Sequence, residues 1–181
     1  DNVLYSGQTK RLDMMAEIST YIKAATDSGT VALDAAKIKD MYGDNTGNHF
    51  STTELNSATN QLKNKTVSTD TTAFKNYMDA VALASQSTSM TASNGQAGIA
   101  TKNSGSKYLF NANGIELTQI IEKGLMGACF YYQGTAVYLD ASKIDGDNTT
   151  VVDGEGTEME HHFDESFGYF GVPTDFPTNT S

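Results

Sequence analysis

A chain of 181 residues with a formal charge of −10 suits one compact domain, which at this size buries roughly 70% of its unfolded surface and needs no disulfide or metal merely to fold. Only 12 Lys and Arg stand against 22 Asp and Glu, which argues against nucleic acid, because phosphate binding needs clustered cations to displace counterions. The single cysteine, Cys129, excludes an intramolecular disulfide, and no apolar run reaches the roughly 18 residues of a membrane span.

Residues 8–28 place Leu12, Met15, Ile18, Ile22 and Ala25 at spacings of three and four, predicting a helix that Gly29 stops. Asp34 is placed to cap a short helix through Ile38, Met41 and Tyr42 that ends at Gly43. The loop 43–49 carries His49, read as a loop histidine. Ser51-Thr52-Thr53-Glu54 reads as a capping box, with Leu55, Ala58 and Leu62 as the buried stripe behind it. Ser68 to Asp70 start the next helix, with Phe74, Tyr77, Met78, Val81 and Ala84 at helical spacing. These two helices are expected to pair as a hairpin.

Residues 85–107 are rich in Ser, Thr, Gly and Asn and lack periodicity, so they read as a long polar loop; Asn94-Gly95 and Ser104-Gly105 offer turns for a small β-hairpin within it. Residues 114–139 follow as the most apolar segment, predicted to be the central helix of a bundle, with Gly124, Gly127 and Gly134 allowing close helix crossings. Cys129 within it reads as a small buried hydrophobe. The fold class expected is all-α: one helical domain over 1–181, with a helical part at 1–84, the polar loop at 85–107 and a core helix with its following segment at 108–181.

Residues 140–181 hold ten carboxylates against Lys143 alone, most simply an acidic solvated surface. The acidic loop 140–156 fails as an EF-hand: counting from Asp145, Thr150 stands where the turn glycine belongs and Gly156 where the bidentate glutamate belongs. Thr157-Glu158-Met159-Glu160 is a second capping box and fixes the start of a helix over 158–169. At 3.6 residues per turn, Glu158, His161, His162, Glu165 and Tyr169 fall within an arc of about 100°. Met159, Phe163, Ser166, Phe167 and Phe170 occupy the opposite arc and are expected to face the core.

A stripe of two imidazoles and two carboxylates is what a transition-metal ion or a proton relay needs, and residues three or four apart on a helix can converge on one ion. The candidate metal ligands are therefore His162, Glu165, His161 and Glu158, with iron or zinc as the expected ion and further ligands from elsewhere. The contrasting expectation is a stripe locked in salt bridges and caps. Neither HExxH nor HxxEH is present. Glu158 to His161 fits the ExxH of di-iron bundles, but His49 has no glutamate three residues before it to supply the second pair. No Ser-His-Asp or Cys-His arrangement is indicated.

The strings SGQTKRLDMMAEISTYIKAA, LFNANGIELTQIIEKGLMGACFYYQ and EHHFDESFGYFGVPTDFP resemble an uncharacterised family of bacterial exported proteins, often lipoproteins, that is similar to the imelysin-like proteins. The resemblance covers essentially the whole chain. It implies a helical bundle, export to the periplasm or outer-membrane surface of a Gram-negative bacterium with a lipid anchor before processing, a link to iron uptake and, in one branch, peptidase activity. The imelysin-like GxHxxE motif maps onto His162-Phe163-Asp164-Glu165, while its glycine is replaced by Glu160; His161 and Asp164 are extra candidates from spacing alone. The resemblance also implies a longer parent, so a C-terminal companion piece or a membrane protein is an expected partner beside a metal ion or metal-bearing ligand.

The functional expectation is thus an exported, imelysin-like domain that binds a transition metal or metal-bearing ligand through 158–169. The alternatives are a surface module that binds a protein or glycan partner with a purely structural His/Glu stripe, and a metal-dependent peptidase.

Overall fold

The computed structural model describes residues 3–27, 32–172 and 178. Helix α1 runs Ser6–Asp27 and buries Met14, Ile18, Ile22 and Ala25, the four-, four- and three-residue steps of one helical stripe. Leu12 and Met15 are half-buried at its edge. The stop expected at Gly29 lies outside the described residues. Asp34 caps α2 (Ala35–Gly43) by accepting from the amides of Ala36 and Lys37, a contact worth about 1 kcal/mol. Ile38, Met41 and Tyr42 are its buried face.

The helix expected behind 51–54 is almost absent. Helix α3 covers only Thr53–Asn56, and its cap is Thr52, whose side chain accepts from the Leu55 amide. Ser51 instead gives its amide and hydroxyl to Glu17 on α1. The carboxamide nitrogen of Asn45 donates to the carbonyls of Leu55, Asn56 and Ala58, taking up groups that a continuing helix would have bonded itself. Leu62 is still fully buried, but it enters the core from the chain leading into a 3-10 turn at Lys63–Lys65. Helix α4 (Thr71–Ser85) buries Phe74, Met78, Val81 and Ala84 as the spacing predicts, and it packs on α2 and on the apolar segment that follows the loop.

The polar loop does contain a hairpin: β1 (Gly98–Thr101) pairs antiparallel with β2 (Lys107–Phe110), Gly98 facing Phe110 and Thr101 facing Lys107. Its turn closes at Ser104-Gly105, where Gly105 has φ +87° and so a conformation that suits glycine. The second strand extends past the expected loop, and Leu109 on it is buried. The architecture is therefore mostly helical, with seven α-helices among the described residues and one two-stranded sheet.

The apolar segment 114–139 forms the centre as expected, in two registers. Helix α5 (Leu117–Leu125) passes directly into a π-helix over Met126–Val137. Leu117, Ile121, Leu125, Cys129 and Phe130 are buried along it. Gly124 lets Phe74 of α4 approach so closely that a Cβ there would lie 2.9 Å from its ring. Gly127 faces open space, so a close crossing does not explain that glycine. The acidic stretch carries the short α6 (Ala141–Ile144), capped by Asp140, and α7 spans Glu158–Tyr169. No helix among the described residues is long and apolar enough to cross a membrane.

Candidate functional site

Helix α7 starts where its sequence says it starts. Thr157 accepts from the Glu160 amide, and the Glu160 carboxylate returns to the Thr157 amide at 2.9 Å, so two otherwise orphaned donors are satisfied at once. The two arcs of the helix have the expected membership. Their facing differs from the expected one.

Phe163 and Phe170 are 59% and 55% exposed, whereas Ser166, Gly168 and Tyr169 are buried. Of the arc expected to face the core, only Ser166 is buried, Phe167 being half-buried with its ring edge-on to Tyr5 at 5.7 Å. The reason lies in the three buried residues, Ser166, Gly168 and Tyr169. Ser166 donates its hydroxyl to the Gly134 carbonyl at 2.6 Å. Gly168 has no side chain, which lets Tyr5, just before α1, sit directly against it. Tyr169 stacks on both Phe130 and Tyr138, with centroids 6.0 Å away in each case. Small residues and one long aromatic let α7 lie close to α1 and the π-helix, and that proximity outweighs turning the phenylalanines inward.

The polar stripe is thereby carried inward with its partners. His162 has a 12% exposed side chain. Its Nε2 lies 3.4 Å from Lys143 Nζ, its Nδ1 3.4 Å from Glu165 Oε2. An ammonium has donors only, so the Lys143 contact suits Nε2 as an acceptor. Glu158 Oε1 stands 3.8 Å from the same Nε2. His161 Nε2 lies 3.8 Å from Glu165 Oε2, and its Nδ1 is buried without a hydrogen-bond partner. Asp164 turns aside to accept from the Leu4 amide at 3.0 Å.

Sequence spacing did not reveal the residues that complete this network. Gln8 donates to Glu165 Oε1 at 3.1 Å. Arg11 is buried, with its guanidinium on the Gln61 and Gly7 carbonyls and 3.4 Å from the Tyr169 hydroxyl. Lys65 donates to the Tyr138 hydroxyl at 2.8 Å. Burial, and then the Glu165 carboxylate, push the Tyr138 phenol up to about 12. Burial and the neighbouring Arg11 charge lower the Lys65 pKa, against the Glu165 charge that raises it. Glu165 thus lies in a network with Gln8, Lys65 and, through His162, Lys143, and no local pattern could have announced Gln8, 157 residues away in the chain.

Four ligand candidates were named from spacing, and three of them meet. Around an ion at about 2.1 Å, ligand atoms stand about 3–3.5 Å apart; Glu165 Oε2 has that separation from His162 Nδ1 and nearly so from His161 Nε2. Two features oppose a complete centre. The Lys143 charge faces His162 Nε2 at 3.4 Å and repels a cation there. Among the described residues no three His, Cys, Asp or Glu side chains are arranged to hold a metal ion. The donors present fit a partial chelate, not a full coordination shell.

The acidic loop before α7 is likewise occupied by its own chain: Asp147 accepts from the amide and hydroxyl of Thr149 and the amide of Thr150. The larger clefts lie elsewhere. Two adjoining ones of about 500 and 400 Å³ run along α1 and share Ala16 and Glu17; another of about 540 Å³ lies between α4 and α5. None of their lining residues is on α7.

Fold and site together define a small, mostly helical domain in which a capped helix turns its polar stripe into a charged, hydrogen-bonded network and its aromatic stripe outward. The chain belongs to DUF4856, a family described as a domain of unknown function, whose model matches residues 1–180. No curated protein and no solved structure matches it.

Proposed function

We propose that this domain is an interaction module of an exported, imelysin-like protein, and that it binds a protein partner on the outward face of α7. The observation that carries the reading is the orientation of that helix. His162 and Glu165 are turned inward and paired, while Phe163 and Phe170 are left more than half exposed. A contiguous apolar surface of this kind marks interaction sites more often than it survives uncovered. Export and the imelysin-like affiliation are supported by the sequence strings alone.

The test is a photo-reactive phenylalanine analogue at position 163, with the same group at Leu83, a 75% exposed residue on α4, as control. Crosslinked partners are identified by mass and the complex is rebuilt from purified components. An adduct formed at 163 and not at 83, with affinity reduced by Phe170→Ser, is the expected result. Adducts at both positions alike, or at neither, would count against the module.

One contact favours a second reading. Glu165 Oε2 is shared by both imidazoles of α7, so a transition metal, iron or zinc, has a partial chelate to bind in company with a partner's ligands. Titration of metal-stripped protein with zinc, iron and copper tests it, with His162→Ala/Glu165→Ala expected to abolish binding. Unchanged binding in that variant would place any ion elsewhere.

A further inference from the structure

The partner's chemistry can be read from what surrounds the aromatic stripe. Phe163, Phe167 and Phe170 recur at four and three residues along α7 and so form a ridge about 10 Å long. Phe170 reaches across to Gly134 on the π-helix, where its ring lies 3.5 Å from the place of a Cβ.

Its surroundings carry one sign of charge. Residues 140–172 contain nine Asp and Glu and a single Lys or Arg, Lys143, and that lysine faces His162. On α7 itself Glu158 and Glu160 are exposed and Asp164 is half-buried, and the helix contains no Lys or Arg. A second copy of this chain would bring the same carboxylates against these, at a net charge of −10 per copy, and like charges across an interface oppose association.

Resting on the reading of α7 as a docking surface, we propose that its occupant is an amphipathic helix of a partner protein whose apolar face lies along Phe163, Phe167 and Phe170 and whose flanks carry Lys and Arg. An isolated helical ridge packs best against another helix. The aromatic side chains supply the anchors, and the acidic rim steers the basic flanks and selects against acidic ones.

Two synthetic helical peptides with the same leucine face, one flanked by lysines and one by glutamates, are the probes. Their binding to the whole chain is followed by fluorescence anisotropy, and its association state by sedimentation. The lysine peptide is expected to bind, to weaken as salt rises from about 50 to about 300 mM, and to bind at least about tenfold more weakly to Phe163→Ser/Phe170→Ser. The glutamate peptide is expected not to bind. Unchanged urea unfolding of the double variant establishes that it is folded.

Equal binding of the two peptides, lost in the double variant, would overturn the basic partner and leave the docking surface. Lysine-peptide binding that survives the double substitution would overturn both. A dimer that the double variant abolishes would replace the partner helix by a second copy.

Discussion

Phe163 and Tyr169 are six residues apart on one helix, yet the phenylalanine is 59% exposed and the tyrosine 3%. Transfer energies alone would place them the other way round, since a phenol keeps a polar hydroxyl that burial must satisfy. Here that hydroxyl has the Arg11 guanidinium at 3.4 Å and the ring has two stacking partners, so burial of the tyrosine is compensated. Among the described residues nothing covers the phenylalanine, which stays 59% exposed.

This inversion predicts opposite stability effects for the two aromatics. Tyr169→Ala opens a cavity between Phe130 and Tyr138 and should cost about 3–5 kcal/mol. Phe163→Ser removes an exposed ring and should change stability by no more than about 0.5 kcal/mol. Urea unfolding followed by circular dichroism measures both. A large loss for Phe163→Ser with a small one for Tyr169→Ala would mean that α7 is turned the other way in solution.

Gly168 gives a sharper test of the same packing. Alanine is favoured over glycine within a helix by about 1 kcal/mol, so the substitution stabilises if the position is free. A Cβ there would meet Tyr5 Cβ and Cγ and lie 3.0 Å from Gln8 Cβ, and overpacking of this kind costs about 1–3 kcal/mol. Gly168→Ala is therefore expected to lower the thermal midpoint, and the loss should shrink in a Tyr5→Ala background, where the two changes are coupled. A raised midpoint in the single variant would show that α1 and α7 do not approach this closely.

Local signals in the sequence were sufficient for α1, α2, α4 and the boundaries of α7, because caps and apolar spacing act within a few residues. They misplaced the cap at 51–54 and overran α3, because Asn45, ten residues away, takes the Leu55 carbonyl. The π-helix was invisible to a 3.6-residue period, since its bonds, such as Tyr138 N to Gln133 O at 3.0 Å, span five residues. The arcs of α7 were legible and their facing was not: it depends on Ser166 and Gly168, small residues that in retrospect signal a close helix contact. Gln8, Lys65 and Lys143 could be found only once the chain was folded around Glu165.

The acidic turns make a prediction about pH. Hydrogen bonds from Thr149 and Thr150 hold the Asp147 carboxyl well below the usual carboxylate range, and those from Ser142 lower Asp140. At Asp40 burial raises the pKa, but hydrogen bonds from Thr46 and Gly47 prevail and lower it. A folded pKa below the unfolded value of about 3.9 contributes stability that is complete above that value and is lost as pH falls through the folded pKa. Asp13 works in the opposite sense, burial, Glu17 and Glu54 raising its pKa. The urea midpoint should therefore fall below about pH 4, and Asp147→Asn/Asp140→Asn should flatten that fall. Identical pH profiles for the two proteins would show that these turns contribute nothing to the acid limit.

Cys129 offers a last check on the core. Its side chain is fully buried where the π-helix begins, its sulfur 3.9 Å from the Leu62 carbonyl, and burial pushes the thiol up to about 12. The thiolate is the reactive species, so at neutral pH the folded protein presents almost none, and the side chain is closed to solvent. A thiol-specific disulfide reagent should modify Cys129 only as fast as the molecule opens, and the rate should rise with urea in step with the loss of helical signal. Opening and global unfolding coincide in that case, which ties the π-helix to the same cooperative unit as α1 and α4. Rapid labelling in the absence of denaturant would instead separate the π-helix from that unit and remove the rigid support on which the orientation of α7 depends.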